Sequence, residues 1–469
     1  MKRISALLIA ISLMGCAGTK TDQAASTVQT EITPVIETAP SATAETAPEV
    51  KKDGFDVSAT IEEQILYESD GIVLKATGLT YEDSRAKLML NAENSGSHDV
   101  EILSGTMGLS CNAVNSWMIH DGWMNMKIPS GKKANETVFF DFEPMQAYGI
   151  AGIETLYMTF QIESDGKYSD RIVTEPIAVH TSLASNQDKV IPFEEMVTAT
   201  ANLYDSGRKL QYCDNSELYN ASGVRVTDTA YLTSDDGDKI LVLGLINESD
   251  QVLDIDSSDI AANGFSICSG RWSSETIIPG KRSFMMLELS SMKNKEDWEL
   301  MGITNVSDIT LSLGVRNLNY EYLSKPQPIS VHVSDVSEKE ENKQNDNSRE
   351  LYSANGVRIV SKGFVEDNLY VEWKLLIENT NEYEIEVSDG WGKNLSINDY
   401  MIDYVMFAEY VGAKQSSIAE IDIFRRSLED SGIDPANLGK VEMELEINDD
   451  KYNVIDTPKI VLDMSSTDS

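Results

Sequence analysis

The chain has 469 residues and a mass of 51.9 kDa, which at about 150 residues per domain leaves room for about three domains. Asp and Glu number 77 against 38 Lys and Arg, a formal charge of −39 that excludes non-specific binding to nucleic-acid phosphates and disfavours electrostatic docking on an anionic membrane. With 41% hydrophobic residues and 18 Tyr, 11 Phe and 6 Trp the chain can build cores, and its four Cys are too few for a disulfide scaffold.

Residues 1–15 have the layout of an export signal: Lys2 and Arg3, an apolar run from Ile4 to Leu13, then Leu13-Met14-Gly15-Cys16. The run is far shorter than the ~20 residues a membrane span needs. Residues 16–60 are rich in Thr, Ala, Pro, Glu and Ser and almost free of aromatics until Phe55. Such a stretch cannot bury enough surface to fold, so it is expected to be a disordered tether.

From residue 61 onward the chain repeats itself three times, over 61–182, 190–334 and 349–464. Each segment opens alike, as Leu66-Tyr67 with Gly71-Ile72, Leu218-Tyr219 with Gly223-Val224, and Leu351-Tyr352 with Gly356-Val357. Then comes a strand ending in Asn, namely Leu88–Asn94, Leu241–Asn247 and Trp373–Asn379. The positions two, four and six before each Asn are all apolar, the period of a strand with one core face. Several intervening positions are apolar too, which predicts cover on both faces. A second Asn follows, read as Asn112, Asn263 and Asn398. Next come a Gly/Lys turn (Gly131-Lys132, Gly280-Lys281, Gly412 with Lys414) and another apolar strand. A short helical turn then ends at Gly149, Gly302 and Gly432, where a left-handed residue would stop a helix. Two last strands close each unit.

This pattern predicts an all-β fold of three tandem immunoglobulin-like β-sandwich modules, with a β-barrel as the alternative. Pro192–Tyr204 is read as either a helix or an added strand. Residues 335–348 are almost entirely polar and read as a linker.

Leu13-Met14-Gly15-Cys16 resembles the lipobox of bacterial lipoproteins. The resemblance implies that Cys16 carries a diacylglycerol and becomes the new N-terminus, on the extracytoplasmic face of the cell membrane. The repeated modules resemble a group of Gram-positive surface lipoproteins with tandem sandwich repeats of unknown function, so no catalytic residue carries over.

The residues themselves show no G-x-S-x-G elbow, H-E-x-x-H motif, P-loop or dinucleotide fingerprint. Ser130 and Lys133 match S-x-x-K in letters only, within the recurring turn. His180 and His332 occupy one shared position, which favours a scaffold role. Asp235, Asp236 and Asp238, with Asp254, Asp256 and Asp259 nearby, read as solvated turns, with calcium between modules as the competing reading. Neither a metal nor a cofactor is expected. Cys111, Cys213 and Cys268 read as free thiols, with a Cys213–Cys268 bridge the alternative.

The repeats differ most between the second Asn and the Gly/Lys turn. Aromatic residues there, Trp117, Trp123, Trp272 and Tyr404, are the candidates for binding a surface protein, peptide or carbohydrate, against a packing role. The functional expectation is a non-enzymatic, lipid-anchored binding or spacer protein. An accessory subunit of an envelope-assembly or uptake system is the alternative.

Overall fold

The computed structural model describes residues 51–52, 54–105, 111–165, 171–183, 188–203, 207–335, 348–390, 392 and 394–464. The export signal, Cys16, the tether up to residue 50 and most of the 335–348 linker lie outside them, whereas residues 54–60, read as the end of a disordered tether, are ordered: Phe55 and Ala59 are buried in the first core and Phe55 stacks on Phe142.

The chain is all-β; its strands pair antiparallel except at two places, and among the described residues the sheets stay open, none closing into a barrel. All nine alternate positions before the strand-end Asn residues point into cores. Leu88, Leu90, Ala92, Leu241, Leu243, Leu245, Trp373, Leu375 and Ile377 are each no more than 2% exposed. The Asn itself earns its place by closing the loop that follows. Asn94 Nδ2 donates to the His98 and Ile128 carbonyls at 2.8 and 2.9 Å. Asn247 does the same for Gln251 and Ile277, both at 2.8 Å, and Asn379 for Tyr383 and Val411 at 2.8 and 3.0 Å. In each repeat one buried amide ties the strand end to its loop and to a strand of the facing sheet.

Four α-helices occur among the described residues: α1 (Phe142–Ala147), α2 (Phe193–Ala201), α3 (Lys295–Met301) and α4 (Arg425–Asp430). Pro192–Tyr204 thus resolves as a helix over its first part. As expected, α1, α3 and α4 stop at left-handed glycines, Gly149, Gly302 and Gly432, with φ of 79°, 69° and 72°. The amide after each glycine reaches back to a helix carbonyl, as Ile150 does to Met145, Ile303 to Trp298 and Ile433 to Leu428.

The second landmark Asn needs correcting in the first repeat. Asn263 and Asn398 sit left-handed at a hairpin turn, with φ of 50°, and the residue matching them is Asn115 at 52°, not Asn112. Asn115 accepts from the Glu154 amide, Asn263 from Ser307 and Asp308, and Asn398 from Lys440. Asn112 lies inside a strand and holds the Asp121 and Gly122 carbonyls instead.

Buried apolar side chains gather into three clusters, but these do not respect the repeat boundaries. The first takes in Phe193, Ile240, Val242 and Phe284 from the second repeat. The second takes in Ala113 and Met118 from the first and Val360, Leu376 and Ile418 from the third. Residues Glu49–Ser469 accordingly form one compact unit. The sheets run on across the boundaries as well. Trp117 pairs in parallel with Arg282, joining first and second repeats in a nine-stranded sheet. Phe265 pairs in parallel with Ser416, joining second and third in an eight-stranded one.

Candidate functional site

The joint between first and second repeats carries a concave surface. The left-handed Asn115 turns the chain so that Trp117 opens the second strand of its hairpin. Trp117 stacks on Tyr148 with centroids 5.1 Å apart and meets Phe284 at 5.2 Å. The Arg282 guanidinium lies 6.0 Å over the Trp117 ring, while Lys281 Nζ donates to the Asn115 carbonyl at 2.7 Å and sits 3.6 Å from the Tyr157 ring. Burial lowers the Lys281 pKa, and Asp188 acts against that.

On the far side of Tyr148 and Phe284 opens a cleft of about 670 Å³, within the range of small-molecule sites. Its walls are Tyr148, Phe284, Met286, Ala201 and Trp272, and its polar groups are His120, Glu275, Arg208 and Glu288. Trp272 stands on the long strand Phe265–Ile277 and is 44% exposed. Glu275 is buried: its Oε1 accepts from Ser283 Oγ at 2.6 Å and lies 3.5 Å from His120 Nε2. Burial pushes its carboxyl above the usual range, with His120 and Ser283 pulling it back. Arg208 is committed within the protein, donating to Asp238 at 3.2 Å, Glu288 at 2.8 Å and the Ala201 carbonyl at 2.9 Å. The result is an aromatic wall with an acidic and imidazole rim.

The four sequence-derived candidates are not brought together. Trp272 lines the cleft. Trp117 is 7% exposed and packs behind the cleft wall, so the contact role read for it is corrected to a structural one. Tyr404 is likewise buried in the third repeat, its hydroxyl 2.8 Å from Asp389 Oδ2 and 2.6 Å from the Gly392 carbonyl. An aromatic ring at a turn-proximal position is as useful for capping a sandwich as for meeting a ligand, and here neighbouring strands cover it. Trp123 is 65% exposed but does not line the cleft.

The acidic clusters are met by cations of the chain itself. Arg316 and Arg271 reach Asp254 and Asp256, which are both buried, and the Tyr322 hydroxyl donates to Asp256 at 2.9 Å. Lys209 pairs with Asp235 at 2.7 Å. The carboxylates of Glu372, Glu420 and Asp422 lie within 4.8 Å of one another, and the Lys374 ammonium sits 2.9 Å from Glu372 and 2.5 Å from Glu420. Sequence reasoning missed Lys374, a buried lysine in the middle of a core strand. The mixed apolar pattern around it was the available signal.

His332 pairs across its strand with Asp308 at 2.8 Å, and His180 with Thr155 at 3.2 Å; these are equivalent cross-strand positions, filled in the third repeat by Lys440 and Asp463. The three described cysteines are free, and the alternative Cys213–Cys268 bridge does not form because the two pack against different clusters. Burial pushes the Cys111 thiol up to about 12 and Cys268 up to about 11, and raises Cys213 too. Thiols so placed stay protonated and poorly nucleophilic at neutral pH.

No protein-family model matches the chain, and no curated protein matches it. Among solved structures it is similar to a red sea bream transglutaminase, at 10% identity and a TM-score of 0.15, over 59% of this chain and 31% of the transglutaminase. It is also similar to a bacterial ice-binding adhesin, at 9% identity and a TM-score of 0.14, over 80% of this chain and 90% of the adhesin. The chain therefore spans about a third of the transglutaminase it matches. At these scores neither likeness bears on function.

Proposed function

We propose that this chain is a non-enzymatic binding protein, held by a lipid on Cys16 at the extracytoplasmic face of the cell membrane. In this reading three immunoglobulin-like sandwiches in tandem present the cleft at the first joint to a surface protein, peptide or carbohydrate. The observation that supports it is the exposed Trp272 on an otherwise aromatic and apolar cleft with a polar rim. Flat apolar rings beside hydrogen-bonding groups suit a ligand with its own apolar face, such as a sugar ring or an aromatic side chain. Arg208 is engaged with Glu288 and Glu275 with Ser283, an arrangement suited to holding the shape of the cleft.

Two measurements test this. Cys16→Ser should move the protein from the membrane to the soluble fraction; retention in the membrane would refute the lipid anchor. A panel of soluble envelope glycans and peptides, screened by tryptophan quenching, should yield a ligand whose binding is lost in Trp272→Ala and kept in Trp123→Ala. Binding indifferent to Trp272 would place the site elsewhere.

A further inference from the structure

The two joints are built the same way, and each half of that joint recurs once more, uncovered, at an end of the compact unit. In both joints the Asn-turn hairpin of one repeat lies beside the strand that follows the Gly/Lys turn of the next. The Arg282 amide donates to the Ser116 carbonyl at 2.9 Å, and the Ser416 amide donates to the Gly264 carbonyl at 3.0 Å. The accepting carbonyl belongs to the residue after the left-handed Asn, and the next residue is aromatic, Trp117 or Phe265.

The third repeat has the same hairpin, Asn398-Asp399-Tyr400, and nothing described lies beyond it. Its second strand is the edge of its sheet, and Tyr400 and Met401 are 56% and 61% exposed. The first repeat has the complementary strand, Lys132–Asp141, also at a sheet edge. Register fixes the correspondence. Glu93 faces Lys133 as Ile246 faces Arg282 and Glu378 faces Ser416. The adjoining sheet face tells the same story. In the second repeat Ile240 and Val242 are buried against the first, and in the third Lys374 and Leu376 are buried against the second. Of the matching residues of the first repeat, Lys87 and Asn91 are half-buried and Met89 is 37% exposed.

We propose that a second copy of this chain covers that edge, its Asn398–Tyr400 turn pairing in parallel with Lys132–Asp141 so that Tyr400 stands opposite Lys133. Lysines on an edge strand ordinarily keep strangers off. Here they occupy the places of Lys281 and Arg282, which the first joint accepts through the Asn115 carbonyl and the Trp117 ring. Asn398 and Tyr400 offer the same two groups. Charge agrees as well, since Asp399 stands within the hairpin turn that would meet Lys132 and Lys133. Because the two halves differ, the contact is head-to-tail, and where its rotation does not close a ring each added copy exposes a new hairpin. The proposal stands independently of the cleft and its ligand.

Sedimentation velocity on the chain from residue 16, carrying Cys16→Ser to keep it free of lipid and held under reductant, tests it from micromolar to millimolar concentration. The expected result is a weight-average mass that rises past that of a dimer. Lys133→Pro removes the outward amide without touching the pairing to the inner strand, and Tyr400→Asp removes the ring. Each should stay monomeric alone, and a one-to-one mixture should form dimers and stop there, since one sound edge and one sound hairpin remain. If Lys133→Pro lowers the melting temperature, Lys133→Glu takes its place. A wild type monomeric at millimolar concentration, a mass that plateaus at the dimer, or assembly unchanged by both variants would overturn the proposal.

Discussion

Lys374→Met is the most informative single perturbation. Lys374 is 1% exposed, and its ammonium lies 3.2 Å from Asp297, a residue of α3 in the preceding repeat that is 4% exposed. Burial alone would drive the lysine towards neutrality; the carboxylates of Glu420, Glu372 and Asp297 outweigh it and hold the pKa above the ordinary lysine range. Removing the ammonium leaves three acids. The Glu372 and Glu420 side chains are 20% and 44% exposed and can rehydrate. Asp297 cannot, and its own pKa is already raised by desolvation despite Lys374. Breaking a buried pair from one side costs about 3–5 kcal/mol, and that is the loss expected at pH 7. Pairing Lys374→Met with Asp297→Leu removes the stranded charge and should recover most of the loss, since apolar replacements of buried ion pairs are often neutral. Urea unfolding followed by tryptophan fluorescence reads both variants through their midpoints. A single variant losing under about 1 kcal/mol, or a double variant no better than the single, would refute the account.

The other expectations are read in the same way. Trp117→Ala should cost about 3–5 kcal/mol because the ring is sandwiched between Tyr148 and Phe284, whereas Trp272→Ala should stay within about 0.5 kcal/mol; thermal melting distinguishes them, and equal shifts would contradict the burial. Asn247→Leu strands the Gln251 and Ile277 carbonyls and should cost about 1–3 kcal/mol, measured by the same unfolding assay. Burial, with Glu420 and Glu372 nearby, pushes the Asp422 carboxyl up to about 6. A folded-state pKa above the unfolded value means the folded chain holds the proton longer, so this group's contribution falls as pH rises from about 4 through 6. Across that window the melting temperature of the wild type should fall relative to that of Asp422→Asn as pH rises; a constant difference would contradict the shift.

Much of the fold is legible in the chain. Alternation before Asn94, Asn247 and Asn379 identifies strands because a strand has only two faces and one of them must be dry. The glycines after α1, α3 and α4 are legible because almost nothing else tolerates that backbone. The hairpin turn of the first repeat is misread because Asn112 and Asn115 are chemically identical and three residues apart; only the local φ separates them. The joints are not legible at all. They depend on which edge strands meet, and a parallel contact of one residue pair leaves no periodic trace. The same holds for the candidate site. Trp272 is visible as an aromatic in a variable stretch, but whether such a ring faces solvent or a neighbour, as Trp117 does, is decided by the adjoining repeat. The apolar positions around Lys374 predict cover on both faces of its strand, but not that the cover is α3 with Asp297 opposite the ammonium.

Every repeat carries both a hairpin and an accepting edge, and this has an evolutionary consequence. Gaining or losing one whole repeat preserves all the joints, because a copied unit brings its own plug and its own socket. A cut inside a repeat separates the two and leaves one without its mate. Array length is thus free to drift in whole units, while selection on the sequence concentrates on the few residues that shape plug and socket. Short landmarks in otherwise dissimilar repeats are what such a history would leave behind.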